Sequence, residues 1–189
     1  MIRIGILGDI GSGKSYVAKN FGYPVFNADS EVSKLYKTNR KIFYKLKQQL
    51  PKFITSFPIN KKEIVSAILK NKINLKKIIN VIHSEIRKEL NIFLRKNKKK
   101  KIIILDIPLL LENKINKKGD ILIFVQAKKN DINRRLKKRT TFNHDLIKRF
   151  KKIQLPLDYK KKKSRFVIKN NFTNKSIKKD IKYILKKIL

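Results

Sequence analysis

The sequence has no cysteine and no tryptophan, and only two of its 189 residues are histidines. Without thiols the chain can form neither disulfides nor thiolate metal sites, and His83 and His144 alone cannot make a structural zinc site. No apolar run approaches the ~20 residues that a membrane-spanning helix needs, and no signal segment precedes the first apolar stretch. These absences favour a soluble cytoplasmic protein.

Acidic residues are also scarce. The sequence contains 13 Asp and Glu against 50 Lys and Arg, which gives a formal net charge of +37. A strongly basic surface can bind phosphate backbones without reading their sequence. Here, however, the excess is mostly lysine, it comes with much asparagine and isoleucine, and it is spread over nearly every predicted helix. Such a profile is typical of AT-rich codon usage. We therefore expect mainly solvated lysines, no specific nucleic-acid partner, no membrane partner, and a monomer or weak homo-oligomer.

Apolar runs alternate with segments of helical periodicity, which predicts an α/β protein with a parallel sheet wrapped by helices. The predicted strands cover residues 2–7, 24–29, 102–106, 121–125 and 166–168. The predicted helices cover residues 14–21, 31–36, 42–50, 62–69, 75–94, 130–138, 143–153 and 176–188. The length suits one domain. We expect a core of residues 1–29 and 100–189, a helical acceptor-binding insertion at about 30–99, and a lid at about 128–160.

Residues 8–15 read Gly-Asp-Ile-Gly-Ser-Gly-Lys-Ser, and they lie between the first predicted strand and the first predicted helix. This is the phosphate-binding loop G-x-x-x-x-G-K-S in its strand–loop–helix context. Backbone N–H groups of such a loop cradle a polyphosphate, its lysine reaches the β- and γ-phosphates, and its hydroxyl binds Mg²⁺. The sequence therefore predicts a nucleoside triphosphate site with Lys14 and Ser15 in these roles.

Two acidic residues, Asp29 and Asp106, follow the second and third predicted strands. Ligands of open parallel sheets collect at the carboxyl ends of the strands. Asp106 ends a continuous apolar run and is predicted to order Mg²⁺, directly or through water, although a strand-terminal aspartate can also merely cap a turn. Asp29 opens the helical insertion, so it is predicted to orient and deprotonate the hydroxyl that accepts a phosphoryl group.

Two pairs of basic residues are spaced four apart in predicted helices. Arg135 and Arg139 would share one helix face. In a kinase they would stabilise charge on the transferring phosphoryl group, and otherwise they belong to a solvated basic helix. His83 and Arg87 have the same spacing, but a single helical histidine is more often structural than catalytic.

Taken in order, these segments resemble the dephospho-CoA kinase family from residue 2 to about residue 171. The most distinctive segment is Asp-Ile-Pro-Leu-Leu-Leu-Glu at residues 106–112. The other matching segments are residues 8–15, 27–29, 82–87, 135–139, 154–157 and 164–170. The chain departs from the family pattern at Leu7, Asp9, Tyr16, Asn27, Ser84, Arg165 and Lys169. These departures concern peripheral contacts more than the chemistry.

The resemblance implies a P-loop nucleotide-kinase fold and ATP-dependent phosphorylation of the 3′-hydroxyl of dephospho-CoA, with ATP as co-substrate and Mg²⁺ as cofactor. The implied catalytic residues are Lys14, Asp29 and Arg139. The implied nucleotide-binding residues are Gly8, Gly11, Ser12, Gly13, Lys14, Ser15, Tyr16 and Asn170. The implied dephospho-CoA-binding residues are Asp29, His83, Arg87, Asp106 and Pro108, and the implied Mg²⁺ residues are Ser15 and Asp106.

Two alternatives remain at this point. One is a different small-metabolite or nucleotide kinase on the same fold, against which the segment 106–112 and the helical insertion argue. The other is a basic nucleic-acid-binding protein with a relic nucleotide site. Its expected marks, aromatic stacking motifs or a concentrated arginine patch, are not evident in the sequence.

Overall fold

A computed structural model describes residues 1–138 and 142–189 of the chain. Its strands are β1 (Ile2–Gly8), β2 (Val25–Asn27), β3 (Ile102–Asp106), β4 (Ile121–Gln126) and β5 (Phe166–Lys169). They form one sheet in the order β2-β3-β1-β4-β5, and every neighbouring pair is parallel. All five residues of β3 are buried, as expected for a central parallel strand covered on both faces. The predicted parallel sheet is confirmed.

Within the described ranges there are nine helices. They are α1 (Lys14–Asn20), α2 (Ala28–Thr38), α3 (Arg40–Gln49), α4 (Lys61–Lys70), α5 (Lys72–Lys96), α6 (Lys129–Lys137), α7 (His144–Lys152), α8 (Leu157–Lys163) and α9 (Asn174–Ile188). None of the helices in this described part is long and apolar enough to cross a bilayer.

The chain divides into two compact units. The first contains Met1–Asn27, Asn97–Asn143 and Lys151–Leu189, and it holds the sheet. The second contains Ala28–Lys96 and His144–Phe150, and it is helical. The more specific division into core, acceptor-binding insertion and lid stays a prediction.

The core of the first unit joins the sheet to α1 and α9. The apolar side chains of β1, β3 and β4 pack with Val17 and Phe21 of α1 and with Ile177 and Ile181 of α9. Complete burial of one such side chain stabilises the fold by about 1.5–3 kcal/mol. Since α1 is fixed against the sheet in this way, the loop between β1 and α1 has both of its ends anchored.

The second unit is organised around α5. Residues at helical spacing bury one face of this helix, among them Leu75, Ile78, Ile82 and Ile86. Helices α2, α3 and α4 pack against it. The asparagines that precede α3 and α4, Asn39 and Asn60, cap those helices by accepting hydrogen bonds from first-turn backbone N–H groups.

Two details of the predicted elements are wrong. The second strand ends at Asn27, so Asp29 lies in the first turn of α2 and not at the end of a strand. A carboxylate is favourable there because the helix N-terminus carries partial positive charge. Helix α8 was not predicted, because most of its seven residues are lysines and show no apolar periodicity.

Candidate functional site

The phosphate-binding loop connects the end of β1 to the start of α1. Gly11 and Gly13 have φ angles of 85° and 91°, in the left-handed region that glycine adopts without strain. A Cβ atom at Gly13 would overlap Nδ2 of Asn170, and one at Gly11 would lie 3.0 Å from atoms of Ile132 and Leu136 on α6. Both glycines are therefore required by backbone conformation and by close packing.

The side chain of Lys14 lies across this loop. Its Nζ donates to the carbonyl oxygens of Gly8, at 3.2 Å, and Asp9, at 2.8 Å. The carboxylate of Asp9 accepts from the backbone N–H of Ile10 at 2.7 Å and lies 3.5 Å from Nζ of Lys151. Phosphate oxygens can replace carbonyl oxygens as partners of an ammonium group, so Lys14 is positioned to bind a polyphosphate in the loop.

Asn170, which follows β5, braces the loop from the other side. This residue is 3% exposed. Its Nδ2 donates to the carbonyl oxygen of Ser12 at 2.8 Å, and its Oδ1 accepts from the backbone N–H of Phe172 at 2.8 Å. The guanidinium carbon of Arg135 lies 4.3 Å from the centroid of the Phe172 ring. Asn170 therefore contacts the loop backbone, while its contact with a nucleotide stays a prediction.

Asp106 ends β3 at a buried position, with 3% exposure. It is paired in register with Asn27 at the end of β2, and Nδ2 of Asn27 donates to Oδ2 of Asp106 at 2.5 Å. An amide donor thus orients the carboxylate. In the described residues no group of three or more His, Cys, Asp or Glu could hold a metal. A carboxylate and the hydroxyl of Ser15 nevertheless offer the oxygen ligands that Mg²⁺ takes beside phosphates.

Glu112, the last residue of the distinctive segment 106–112, forms an ion pair that the sequence did not reveal. Its Oε1 lies 2.7 Å from Nζ of Lys160 on α8, and the two side chains are 9% and 1% exposed. The same oxygen accepts from the backbone N–H of Leu155 at 3.0 Å. Lys160 lies in a run of four lysines, so no sequence signal distinguishes it from its exposed neighbours.

In the second unit, Asp29 is exposed in the first turn of α2, where it borders an open groove of about 530 Å³ with Ser33 and Lys34. His83 and Arg87 lie one turn apart on α5. Burial, and then the neighbouring charge of Arg87, lower the pKa of His83 below its ordinary value. Its Nε2 is buried, and it has no hydrogen-bond partner among the residues that the structure describes.

The remaining predicted residues are dispersed. Tyr16 is 44% exposed on α1, and Pro108 is partly buried in the turn that follows β3. Arg139 lies outside the described residues, so the helix face that we predicted for it and Arg135 stays a prediction. The first unit thus contains the phosphate loop and Asp106, and the second contains Asp29 on α2 and His83 and Arg87 on α5.

The chain is similar in sequence and in fold to known proteins. The sequence profile of the dephospho-CoA kinase family matches residues 2–176. A dephospho-CoA kinase of Wolbachia pipientis wMel is 32% identical over 187 residues, which cover 96% of this chain and 95% of that protein. Among solved structures, TT1252 from Thermus thermophilus has a TM-score of 0.77 at 24% identity and covers 100% of this chain and 98% of its own. A dephospho-CoA kinase from Campylobacter jejuni has a TM-score of 0.63 at 21% identity, and the match covers 98% of this chain and 96% of that chain.

Proposed function

The chain belongs to the dephospho-CoA kinase family, and from this premise we propose how its residues divide the reaction. The chain is a kinase of the final ATP-dependent step of coenzyme A biosynthesis. It transfers the γ-phosphoryl group of ATP to the 3′-hydroxyl of dephospho-CoA and releases coenzyme A and ADP. The observation that carries this function is the complete phosphate loop between β1 and α1, within a family match over residues 2–176.

The loop 8–15 binds the β- and γ-phosphates of ATP in this proposal. Support comes from the left-handed glycines, which let successive backbone N–H groups face one anion, and from the ammonium group of Lys14 already lying over the loop. Lys14 then stabilises charge on the transferring phosphoryl group. Arg139 supplies a second, permanently charged donor to the same group, as the resemblance implies.

Ser15 and Asp106 hold the Mg²⁺ that accompanies ATP, directly or through water. Their hydroxyl and carboxylate oxygens suit this hard cation, and the hydrogen bond from Asn27 fixes one oxygen of Asp106. When bound, Mg²⁺ neutralises charge that develops on the phosphates.

Dephospho-CoA is bound by Asp29, His83 and Arg87, with Asp106 and Pro108 as further contacts. Asp29 accepts the proton of the 3′-hydroxyl as that oxygen attacks phosphorus, so that ADP is the leaving group. Burial keeps His83 neutral near pH 7, because its pKa is lowered. The guanidinium group of Arg87 can bind a substrate phosphate through two parallel hydrogen bonds.

We also propose a cytoplasmic location, because the reaction consumes ATP, which the cytoplasm supplies. We likewise propose a monomer or weak homo-oligomer.

The test is ATP consumption, followed as ADP release, with a panel of hydroxyl acceptors. Dephospho-CoA should give by far the highest kcat/KM, and free adenosine, a sugar and a hydroxy acid should give little turnover. A different preferred acceptor would identify another kinase of this fold. Binding to RNA with steep salt dependence, and no turnover of dephospho-CoA, would indicate a nucleic-acid-binding protein.

A further inference from the structure

A buried ion pair in the first unit has no part in the functions assigned so far. Glu112 lies in the turns after β3, and Lys160 lies on α8, with Nζ and Oε1 2.7 Å apart. Nζ of Lys160 also lies 3.4 Å from Oε1 of Gln154. In the described part of the chain, Lys160 is the one lysine that is buried, although lysines are abundant on its surface.

Stability alone explains this pair poorly. Two charges removed from water lose hydration that their mutual attraction often fails to restore, and apolar replacements of such pairs are frequently neutral or stabilising. One oxygen of Glu112, Oε2, is buried without a hydrogen-bond partner among the described residues, so the desolvation is incompletely compensated. In some proteins such a pair serves instead to fix the relative position of the segments that it joins.

On the Glu112 side, the pair fixes the segment that begins with Asp106. Ile107 and Leu110 of this segment are buried. Leu110 packs so closely on β1 that a Cβ atom at Gly5 would lie 2.6 Å from its Cδ2. The segment is therefore held by the Asn27 hydrogen bond at its start, by Leu110 in its middle and by Lys160 at its end.

On the Lys160 side, the pair fixes α8, which packs against β1 and β4. Leu157, Asp158 and Lys161 of this helix line a cavity of about 170 Å³ together with Asp9 of the phosphate loop. One buried ion pair thus connects the segment of Asp106 and Pro108 to the helix that flanks the phosphate loop.

We propose that Glu112 and Lys160 are positioning residues of the kinase. They touch neither substrate nor Mg²⁺. Their ion pair holds the Asp106–Pro108 turn in a fixed relation to α8, and through α8 to the phosphate loop, so that the Mg²⁺ carboxylate meets the nucleotide phosphates at the right place. This role rests on the functions proposed above for Asp106 and the loop.

The test separates positioning from stability with a charge-free double variant, Glu112→Gln with Lys160→Met. The introduced glutamine keeps an acceptor for the N–H of Leu155, and no uncompensated buried charge remains, unlike in Lys160→Met alone. We expect the double variant to melt close to wild type, whereas kcat falls and the apparent Mg²⁺ requirement rises by about tenfold to a hundredfold. Lys162→Met, an exposed substitution on the same helix, is the matched control and should change neither quantity.

Hydrogen exchange of the backbone amides of residues 107–112 supplies a readout that does not depend on turnover, and it should be faster in the double variant. The proposal is overturned if this variant has wild-type kinetics and wild-type exchange. It is also overturned if the loss of kcat is fully explained by a lower melting temperature, that is, by a smaller folded fraction at the assay temperature. Glu112→Asp keeps both charges but shortens the side chain by one methylene group, which moves the carboxylate away from Lys160. It should therefore reproduce the lower kcat and the higher Mg²⁺ requirement even where the double variant does not fold. Absence of dephospho-CoA turnover in the wild type would instead refute the proposed function, and the exchange measurement would still decide about the pair.

Discussion

Asn170→Asp tests the bracing of the phosphate loop with a change of one side-chain group. The carboxylate keeps an oxygen that accepts from the N–H of Phe172, but it has no donor for the carbonyl oxygen of Ser12. Two oxygen atoms would then face each other where the Nδ2–O distance is now 2.8 Å. The loop must shift, or the carbonyl group must remain without this partner.

The expected magnitude follows from burial. Asn170 is 3% exposed, and a buried polar group left unpaired costs about 1–3 kcal/mol. For a chain of this size, each kcal/mol lowers the melting temperature by about 2–4 °C. A loop held out of its binding geometry by the same free energy weakens ATP binding by about fivefold to 140-fold, because ~1.4 kcal/mol corresponds to a factor of ten in Kd.

The assay is calorimetric titration with Mg·ATP beside thermal unfolding of the apo protein. Asn171→Asp is the matched control, because it adds the same charge one position away. Asn171 is exposed, and its Oδ1 only accepts, from the N–H and hydroxyl groups of Thr173, so an aspartate preserves both hydrogen bonds. If both variants weakened Mg·ATP binding equally, the added negative charge alone would explain the weaker binding. Wild-type affinity for Mg·ATP in Asn170→Asp would refute the bracing role.

Three further predictions concern the remaining groups. Asp29→Asn should lower kcat by about 10²–10⁴-fold with little change in ATP affinity, since we assign Asp29 to the acceptor hydroxyl; weaker Mg·ATP binding with intact kcat, measured by steady-state kinetics, would contradict that assignment. The lowered pKa of His83 means that the neutral imidazole stabilises the fold above about pH 6.5 and that this contribution is lost as the pH falls below that value. As the pH falls below about 6.5, denaturant titrations should therefore show that His83→Gln loses less unfolding free energy than the wild type. Equal pH slopes in the two proteins would refute this. Arg139→Lys should lower kcat markedly despite equal charge, whereas Lys138→Ala should be nearly silent; equal small effects in initial-rate assays would place the catalytic cation elsewhere.

Features carried by contiguous residues were predictable from the sequence. The phosphate loop has its complete pattern within eight residues, and β3 is an uninterrupted apolar run that ends in Asp106, so both lie where the sequence predicts them. The end of β2 was harder to predict. Asp29 lies in the first turn of α2, where a carboxylate is favourable. Short apolar patterns do not show where such a helix begins.

Contacts between distant segments could not be predicted. The hydrogen bond between Asn170 and Ser12 joins residues 158 positions apart. The bond between Asn27 and Asp106 depends on β2 lying next to β3, which the order of elements along the chain does not specify. The burial of Lys160 arises from the packing of α8, whose lysine-rich sequence looks fully solvated.

The position of the transferred phosphoryl group distinguishes phosphorylation of the 3′-hydroxyl of dephospho-CoA from every other outcome. The most direct measurement is phosphorus NMR of the product formed from dephospho-CoA and Mg·ATP, with Lys14→Ala as the inactive control. We predict one new phosphomonoester resonance that couples to the ribose H3′ proton and grows in equal amount with ADP. Formation of ADP without that resonance, or a phosphate at another position, would contradict the assigned activity.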